Sequence, residues 1–274
     1  MNFSNSTLQL DKNQDFSLSI KIGNVIWLVV ADGHAGFPIQ YYKHRTVFEF
    51  IQRLNWEVFL KENSENPVKA LDDKINREIV DTQNNGSTIS IVKIENNNLK
   101  IWWKGDSATN IYKNGKMIYK TKNHNIFEKS EKERLKKENI KYTQDKTGTN
   151  FRLLGNNCIE MINSPLYIIY ENGDKMNMTN CLGHNNITGN FIDYYEYNFI
   201  QGNKYKIISA TDGFWDMFYP DEDNEIILNY QNANQLTEFS EKKWKQEWHH
   251  VWKNKKYSQT FSVYDDIAVS LFSN

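Results

Sequence analysis

Apolar and polar residues alternate from Asp15 to Ile22, with Phe16, Leu18, Ile20 and Ile22 set against Ser17, Ser19 and Lys21. That is the period-2 pattern of a half-buried strand. Gly23-Asn24 follows, a two-residue hairpin signal. Val25 to Ala31 is then apolar without a break, as a more fully buried strand requires, and is expected to stop at Asp32. With a two-residue loop, positions 15 and 32 are equidistant from the turn, so the register brings Asp15 and Asp32 to the same end of the hairpin. Two such carboxylates repel unless a cation lies between them. A divalent metal is the simplest answer.

Helical spacing covers 37–62 (Val47, Phe48, Ile51, Leu54, Val58, Phe59) and again 65–81 (Val68, Leu71, Ile75, Ile79). Asn84-Asn85-Gly86 breaks the second run. Strands are predicted over 87–95, 99–104 and 109–113, with turns at Asn96-Asn97-Asn98 and Asn114-Gly115. Residues 127–146, dense in Lys and Glu, read as a solvated helix and loop. Residues 150–189 read as irregular. A strand over 205–210 leads to Asp212. A Trp-rich helix is predicted over 234–254 (Leu236, Phe239, Trp244, Trp248, Trp252), and a closing strand over 266–272. No internal repeat or Pro/Gly/Ser linker divides the chain, so one domain over 1–274 is the economical reading.

Composition narrows the class. The chain has 274 residues, ample for a sizeable core, and its 14% aromatic content argues against disorder. A formal net charge of −1 argues against a general nucleic-acid binder. The apolar run at 25–31 is too short to span a bilayer, and the N-terminus carries no signal-peptide pattern. The two cysteines, Cys158 and Cys181, lack metal-type spacing and suit free thiols in a reducing cytoplasm. The Asn, Lys and Ile bias is compatible with an AT-rich genome such as that of a large DNA virus or a protist.

The candidate chemistry lies in the aspartates. Asp32, Asp106 and Asp212 follow apolar strands, whereas Asp15 and Asp265 precede them. In an antiparallel sheet, carboxylates after incoming strands and before outgoing ones meet at one rim. Asp216, four residues after Asp212, points to the same side if a helical turn starts there. Hard oxygen ligands without cysteine suit Mg2+ or Mn2+. Two such ions can share a water and lower its pKa. Taken singly, each element has a plainer reading: Asp-Gly is usually a turn, a lone Asp before a strand is usually solvated, and His34 alone would be a surface or capping histidine.

Read in order, these residues resemble the metal-dependent Ser/Thr protein phosphatases of the protein phosphatase 2C type. Asp32-Gly33-His34-Ala35-Gly36 looks like that family's Asp-Gly-His-Gly-Gly, and Gly86-Ser87-Thr88 its Gly-Ser-Thr. Gly105-Asp106-Ser107 looks like the start of Gly-Asp-Ser-Arg. Ala210-Thr211-Asp212-Gly213-Phe214-Trp215-Asp216 is similar to Ala-Ser-Asp-Gly-Leu-Trp-Asp, and Asp265-Asp266-Ile267-Ala268-Val269 to Asp-Asn-Ile-Thr-Val. Thr179-Asn180-Cys181-Leu182-Gly183-His184 sits where the family has Ser-Arg-Ser-Leu-Gly-Asp, and Asn13-Gln14-Asp15 matches an Asn-Glu-Asp opening.

The resemblance implies an α+β fold, a four-layer α-β-β-α sandwich of two packed antiparallel sheets flanked by helices. It implies hydrolysis of phosphoserine and phosphothreonine in a phosphoprotein by a metal-bridging water. By position, Asp32 would bridge two Mn2+ or Mg2+ ions, the Gly33 carbonyl would hold one, and Asp212 and Asp265 the other. Asp15 would bind directly or through water. His34 would be the general acid, and Asp106 and Asp216 a weaker third metal site. The family's phosphate-gripping arginine is Leu10 here, with Lys12 the nearest cation and the candidate substitute. A lysine cannot make the bidentate contact. A monomer is expected. The rival readings are a pseudophosphatase binding module of the same fold and a small-molecule phosphohydrolase.

Overall fold

The alternation in the central strand decides the layering. In the computed structural model the strand Val25–Ala35 sends Trp27, Val29 and Ala31 to one face and Ile26 and Leu28 to the other. Both sets are buried, which is why the run is apolar throughout. The structure describes residues 1–35, 46–79, 82, 85–140, 142–144, 149–163, 166–169, 175–184, 190–252 and 255–274.

The first large sheet has the order Leu182–Gly183, Asn85–Ser87, Val25–Ala35, Ile89–Glu95, Asn98–Lys104, Asp193–Asn198, with Asp15–Ile22 also paired to Val25–Ala35. The second has the order Asn2–Leu8, Ile267–Ser273, Tyr205–Ala210, Ala108–Lys113, Lys116–Lys120. All pairings in both are antiparallel. Between them lies a layer of Ile26, Leu28, Val92, Ile101, Trp103 from the first sheet and Ile111, Tyr205, Ile207, Phe272 from the second. Outside the first sheet, Trp27 and Val29 pack on Ile51, Leu60, Val68, Leu71 and Ile75 of the helices Val47–Arg53, Trp56–Glu62 and Pro67–Glu78. Outside the second, Ile208, Val269 and Leu271 pack on Phe214, Ile227, Leu236 and Phe239, carried by the helices Asp212–Trp215, Pro220–Asn229 and Ala233–Lys245. Three apolar layers between four structural ones make the α-β-β-α sandwich. Truncating a side chain as buried as Leu28 to Ala would cost about 2–5 kcal/mol. Among the described residues no helix is long and apolar enough to cross a membrane.

The inter-sheet layer turns polar near one rim. Ser90, Thr109 and Ser209 form a chain of buried hydroxyls at 2.9 and 2.8 Å, and Thr88 meets Ser107 at 2.5 Å. Such groups tolerate burial because each finds a partner.

Several elements depart from the sequence reading. The central strand continues through Asp32 to Ala35, because Gly33, His34 and Ala35 pair with Ser87, Gly86 and Asn85. Asn84-Asn85-Gly86 was expected to be a break; Asn85–Ser87 is instead a strand, and Asn84 lies outside the described residues. The helix expected over 37–62 is two helices, since Asn55 caps the second through Val58 N; residues 37–45 lie outside the described residues. Pro67 starts the next helix, which ends at Glu78. The described part of 150–189 is not irregular but carries strands Thr149–Gly155, Cys158–Asn163, Leu166–Ile169, Lys175–Met176 and Leu182–Gly183, while 164–165, 170–174 and 185–189 lie outside the described residues. The Trp-rich helix ends at Lys245, and Trp248–Trp252 is a strand paired with Lys255–Gln259. The charged segment holds a helix, Lys129–Lys137, that is not wholly solvated: Glu131 is buried against Arg134 and Thr179. Asn2–Leu8 pairs with Ile267–Ser273, a strand the pattern did not reveal.

Candidate metal centre

The hairpin register is as expected: Asp15 is the Cα partner of Asp32. Asp212 follows Tyr205–Ala210 as the first residue of its helical turn, and Asp216 is one turn on, its N–H bonded to the Asp212 carbonyl at 2.7 Å. Asp106 lies in the turn between Asn98–Lys104 and Ala108–Lys113, and Asp265 two residues before Ile267–Ser273. Mutual repulsion shows that the six share one field. Burial first, then Asp212, Asp15 and Asp265, pushes Asp32 well above the ordinary carboxylate range. Burial, Asp265, Asp106 and Asp216 do the same to Asp212. Asp15 rises to about 8, mainly by burial and against the hydrogen bond from Thr211. Burial raises Asp106 to about 6. Desolvation, with Asp106 and Asp265, raises Asp216 to about 7, although that side chain reaches the surface.

Local contacts hold the carboxylates. Thr211 Oγ1 donates to Asp15 Oδ2 at 2.6 Å and accepts from Ala268 N at 3.0 Å. Asp32 N donates to Thr88 Oγ1 at 2.9 Å, while Thr88 N and Ser87 Oγ donate to the Asp32 carbonyl. Gly33 leaves no room for a side chain, since a Cβ there would lie 2.5 Å from Phe48. A Cβ on Gly213 would lie 1.9 Å from the Asp266 carbonyl oxygen. These two glycines let the strand after Asp32 and the helical turn after Thr211 approach neighbouring side chains and backbone closely.

Asp266, which the sequence reading left without a role, organises the segment before Asp15. Its buried carboxylate accepts from Leu10 N at 2.7 Å, Lys12 N at 3.3 Å and Gln14 N at 2.8 Å. Tyr264 N in turn donates to Asp11 Oδ2 at 2.7 Å. The Asp-Asp doublet at 265–266 was the available signal. Lys12 is thereby placed with its ammonium 2.7 and 2.9 Å from the two Asp265 oxygens. Its pKa is raised by Asp265, Asp212 and Asp32, which outweigh its partial burial. Leu10 points its side chain into the core outside the second sheet.

His34 lies two residues beyond Asp32 on the same strand, hence on the same face. Its ring stacks on His184 at 4.7 Å between centroids and 11° between planes. Burial and the second imidazole hold its pKa well below the usual value. Neither ring nitrogen of His34 has a hydrogen-bond partner among the described residues.

The residues fit divalent cations. Asp212 Oδ1 is buried with no hydrogen-bond partner among the described residues, and Asp32, Asp106, Asp212, Asp216 and Asp265 share the field of one ammonium, that of Lys12. Oxygen donors at that charge density suit Mg2+ or Mn2+.

A four-layer sandwich of two antiparallel sheets flanked by helices is the architecture that the sequence resemblance implied. The chain belongs to the protein phosphatase 2C family, whose profile matches residues 12–157. Solved structures share the fold. A serine-threonine phosphatase 2C from Toxoplasma gondii superimposes with a TM-score of 0.60 at 15% identity, over 99% of this chain and 94% of that one. A serine/threonine phosphatase from S. agalactiae gives 0.57 at 14% identity, covering 98% of each. A C. elegans sex determining protein gives 0.61 at 18% identity; the match covers 98% of this chain and 64% of that protein. No curated protein matches by sequence.

Proposed function

We propose that the chain is a Mn2+- or Mg2+-dependent protein serine/threonine phosphatase, with 1–274 as one catalytic domain and a phosphoprotein as its partner. The observation that carries this is the pairing of Asp15 with Asp32 at the rim where Asp212 presents a buried oxygen with no hydrogen-bond partner among the described residues. Asp15, Asp32, the Gly33 carbonyl, Asp212 and Asp265 would hold two ions, and Asp106 with Asp216 a third. Bound there, such ions supply Lewis-acid polarisation of a phosphoryl oxygen and an acidified water.

The remaining work falls to the chain. Thr211 and Thr88 orient the Asp15 side chain and the Asp32 backbone through the hydrogen bonds described above. Asp266 fixes the loop that carries Lys12, whose ammonium supplies positive charge beside an anionic phosphate. As the phosphorus–oxygen bond breaks, His34 gives a proton to the departing seryl or threonyl oxygen. Burial and the His184 imidazole favour its neutral form, and a phosphate dianion nearby favours the protonated one.

The test is hydrolysis of a phosphothreonine peptide with and without Mn2+, for wild type, Asp32→Asn and Asp212→Asn. Mn2+-dependent turnover lost in both variants is expected. Mn2+ binding without turnover would favour the pseudophosphatase reading, to which Leu10 in place of arginine lends support. Faster turnover of nucleotides or phosphosugars than of the peptide would favour the small-molecule phosphohydrolase.

A further inference from the structure

Beside the carboxylates lies a second group of ligating atoms, of which the phosphatase reading uses His34 alone. One ligand atom each from His34, Cys181 and His184 lie within 4.8 Å of one another. The sheet builds this arrangement. Gly86 is the Cα partner of His34 on one side and of Gly183 on the other. It has no Cβ, and one added there would lie 2.4 Å from His184 Cδ2. The His184 ring therefore lies across the middle strand against His34. His184 has φ of 50°, a left-handed conformation that histidine adopts more readily than most residues. Cys181 is fully buried, in an apolar cluster with Met176 and Met178. The second observation is the pair of His34 nitrogens, both buried at the atom level and both without a hydrogen-bond partner among the described residues.

We propose that His34, Cys181 and His184 form a Zn2+ site separate from the carboxylate cluster, and that zinc bound there withdraws His34 from catalysis. Two imidazoles and a thiolate suit Zn2+, whereas the all-oxygen rim suits Mg2+ or Mn2+. Tetrahedral zinc bonds of about 2.0–2.3 Å place ligand atoms about 3.5 Å apart. The donors, within 4.8 Å of one another here, must close to that spacing, and one ring must tilt out of its near-parallel stack. Binding forms one Zn–S and two Zn–N bonds and releases the thiol proton to solvent. A solvent molecule completes the coordination. With a ring nitrogen on the metal, His34 cannot pass its proton to a leaving alkoxide. The regulatory consequence rests on the phosphatase reading; the binding site does not.

The test uses Co2+ as a spectroscopic stand-in for Zn2+, added to the whole chain with the carboxylate sites filled by excess Mg2+. Wild type and Cys158→Ser should show a thiolate-to-cobalt charge-transfer band with tetrahedral d–d absorption, abolished by stoichiometric Zn2+. Cys181→Ser should lack the band. His184→Asn, which keeps the thiol and tolerates the backbone conformation, should weaken Zn2+ binding at least about tenfold. Circular dichroism of each variant checks folding. No band in wild type, or a band lost in Cys158→Ser and kept in Cys181→Ser, overturns the site. In the turnover assay, Zn2+ should inhibit wild type at a concentration at least about tenfold lower than it inhibits Cys181→Ser. Equal inhibition of both overturns the regulatory step. Absent turnover in every sample, with the cobalt band present, would refute the phosphatase reading and leave the zinc site standing.

Discussion

Removing the Asp266 carboxylate tests how the site is held. Two of its three backbone hydrogen bonds are short, 2.7 Å from Leu10 and 2.8 Å from Gln14, and the third, from Lys12, is long at 3.3 Å. Hydrogen bonds to a charged group contribute about 1.5–3 kcal/mol each, so the two good ones set a ceiling of about 3–6 kcal/mol. Leu10 and Gln14 are only partly buried. Water can satisfy part of what Asp266→Ala exposes, and a net loss of about 2–4 kcal/mol is expected. For a chain of this size that lowers Tm by roughly 5–15 °C. Asp266→Asn keeps one acceptor oxygen but turns an amide NH2 toward the other donors, so its loss should be smaller yet clear. Hydrogen exchange at single amides localises the effect. Leu10 and Gln14 should lose protection in both variants while the Asp15–Ile22 strand keeps it. Unchanged protection at Leu10 and Gln14 in Asp266→Ala would refute this account of the loop.

Other outcomes follow from the same site. Asp15, Asp106 and Asp216 titrate at about 8, 6 and 7, all above the unfolded value, so the metal-free fold binds more protons than the unfolded chain between about pH 4 and 8. Its stability should therefore fall as pH rises through that window; denaturant melts in chelator at pH 5 and pH 8 measure this, and a rise would contradict it. Gly213→Ala drives a Cβ into the Asp266 carbonyl oxygen and should cost at least the usual 1–3 kcal/mol of overpacking, together with Mn2+ affinity by calorimetry. Leu10→Arg can keep its stem on the core while its guanidinium reaches outward, and should lower KM for a phosphopeptide severalfold at constant kcat. An unmoved KM would mean that the phosphate is held elsewhere.

What the chain shows in advance depends on the range of the contact. The Asp15–Asp32 pairing was legible because a two-residue turn and strict alternation leave one register. The places of Asp32, Asp106 and Asp212 were legible because each follows an apolar run. Asp266 was hidden, since its partners lie some 250 positions away and are backbone groups with no sequence signature. The strand Trp248–Trp252 was misread as helix because aromatic spacing suits both periods, and the hairpin partner Lys255–Gln259 is mostly polar. Asn2–Leu8 has few apolar residues; its partner Ile267–Ser273 supplies the pairing edge. The His34–His184 stack depends on Gly86 lying between two strands, a three-strand juxtaposition that no local pattern encodes.

The tie between Leu10 and Asp266 spans 256 positions. On the ribosome, the first half of the acidic rim is made long before the second, and Asp15 and Asp32 emerge as an uncompensated pair. Closing loops of this length is slow, and chains of this size commonly pass through partly folded states. The strand Ile267–Ser273, made after every other described strand of the two large sheets, fills the gap between Asn2–Leu8 and Tyr205–Ala210 and delivers Asp265 as it docks. A chain stopped short of that strand would have a sheet with an open slot and a site lacking one wall. Assembly of the carboxylate rim therefore waits on the strand Ile267–Ser273, the element that closes this sheet.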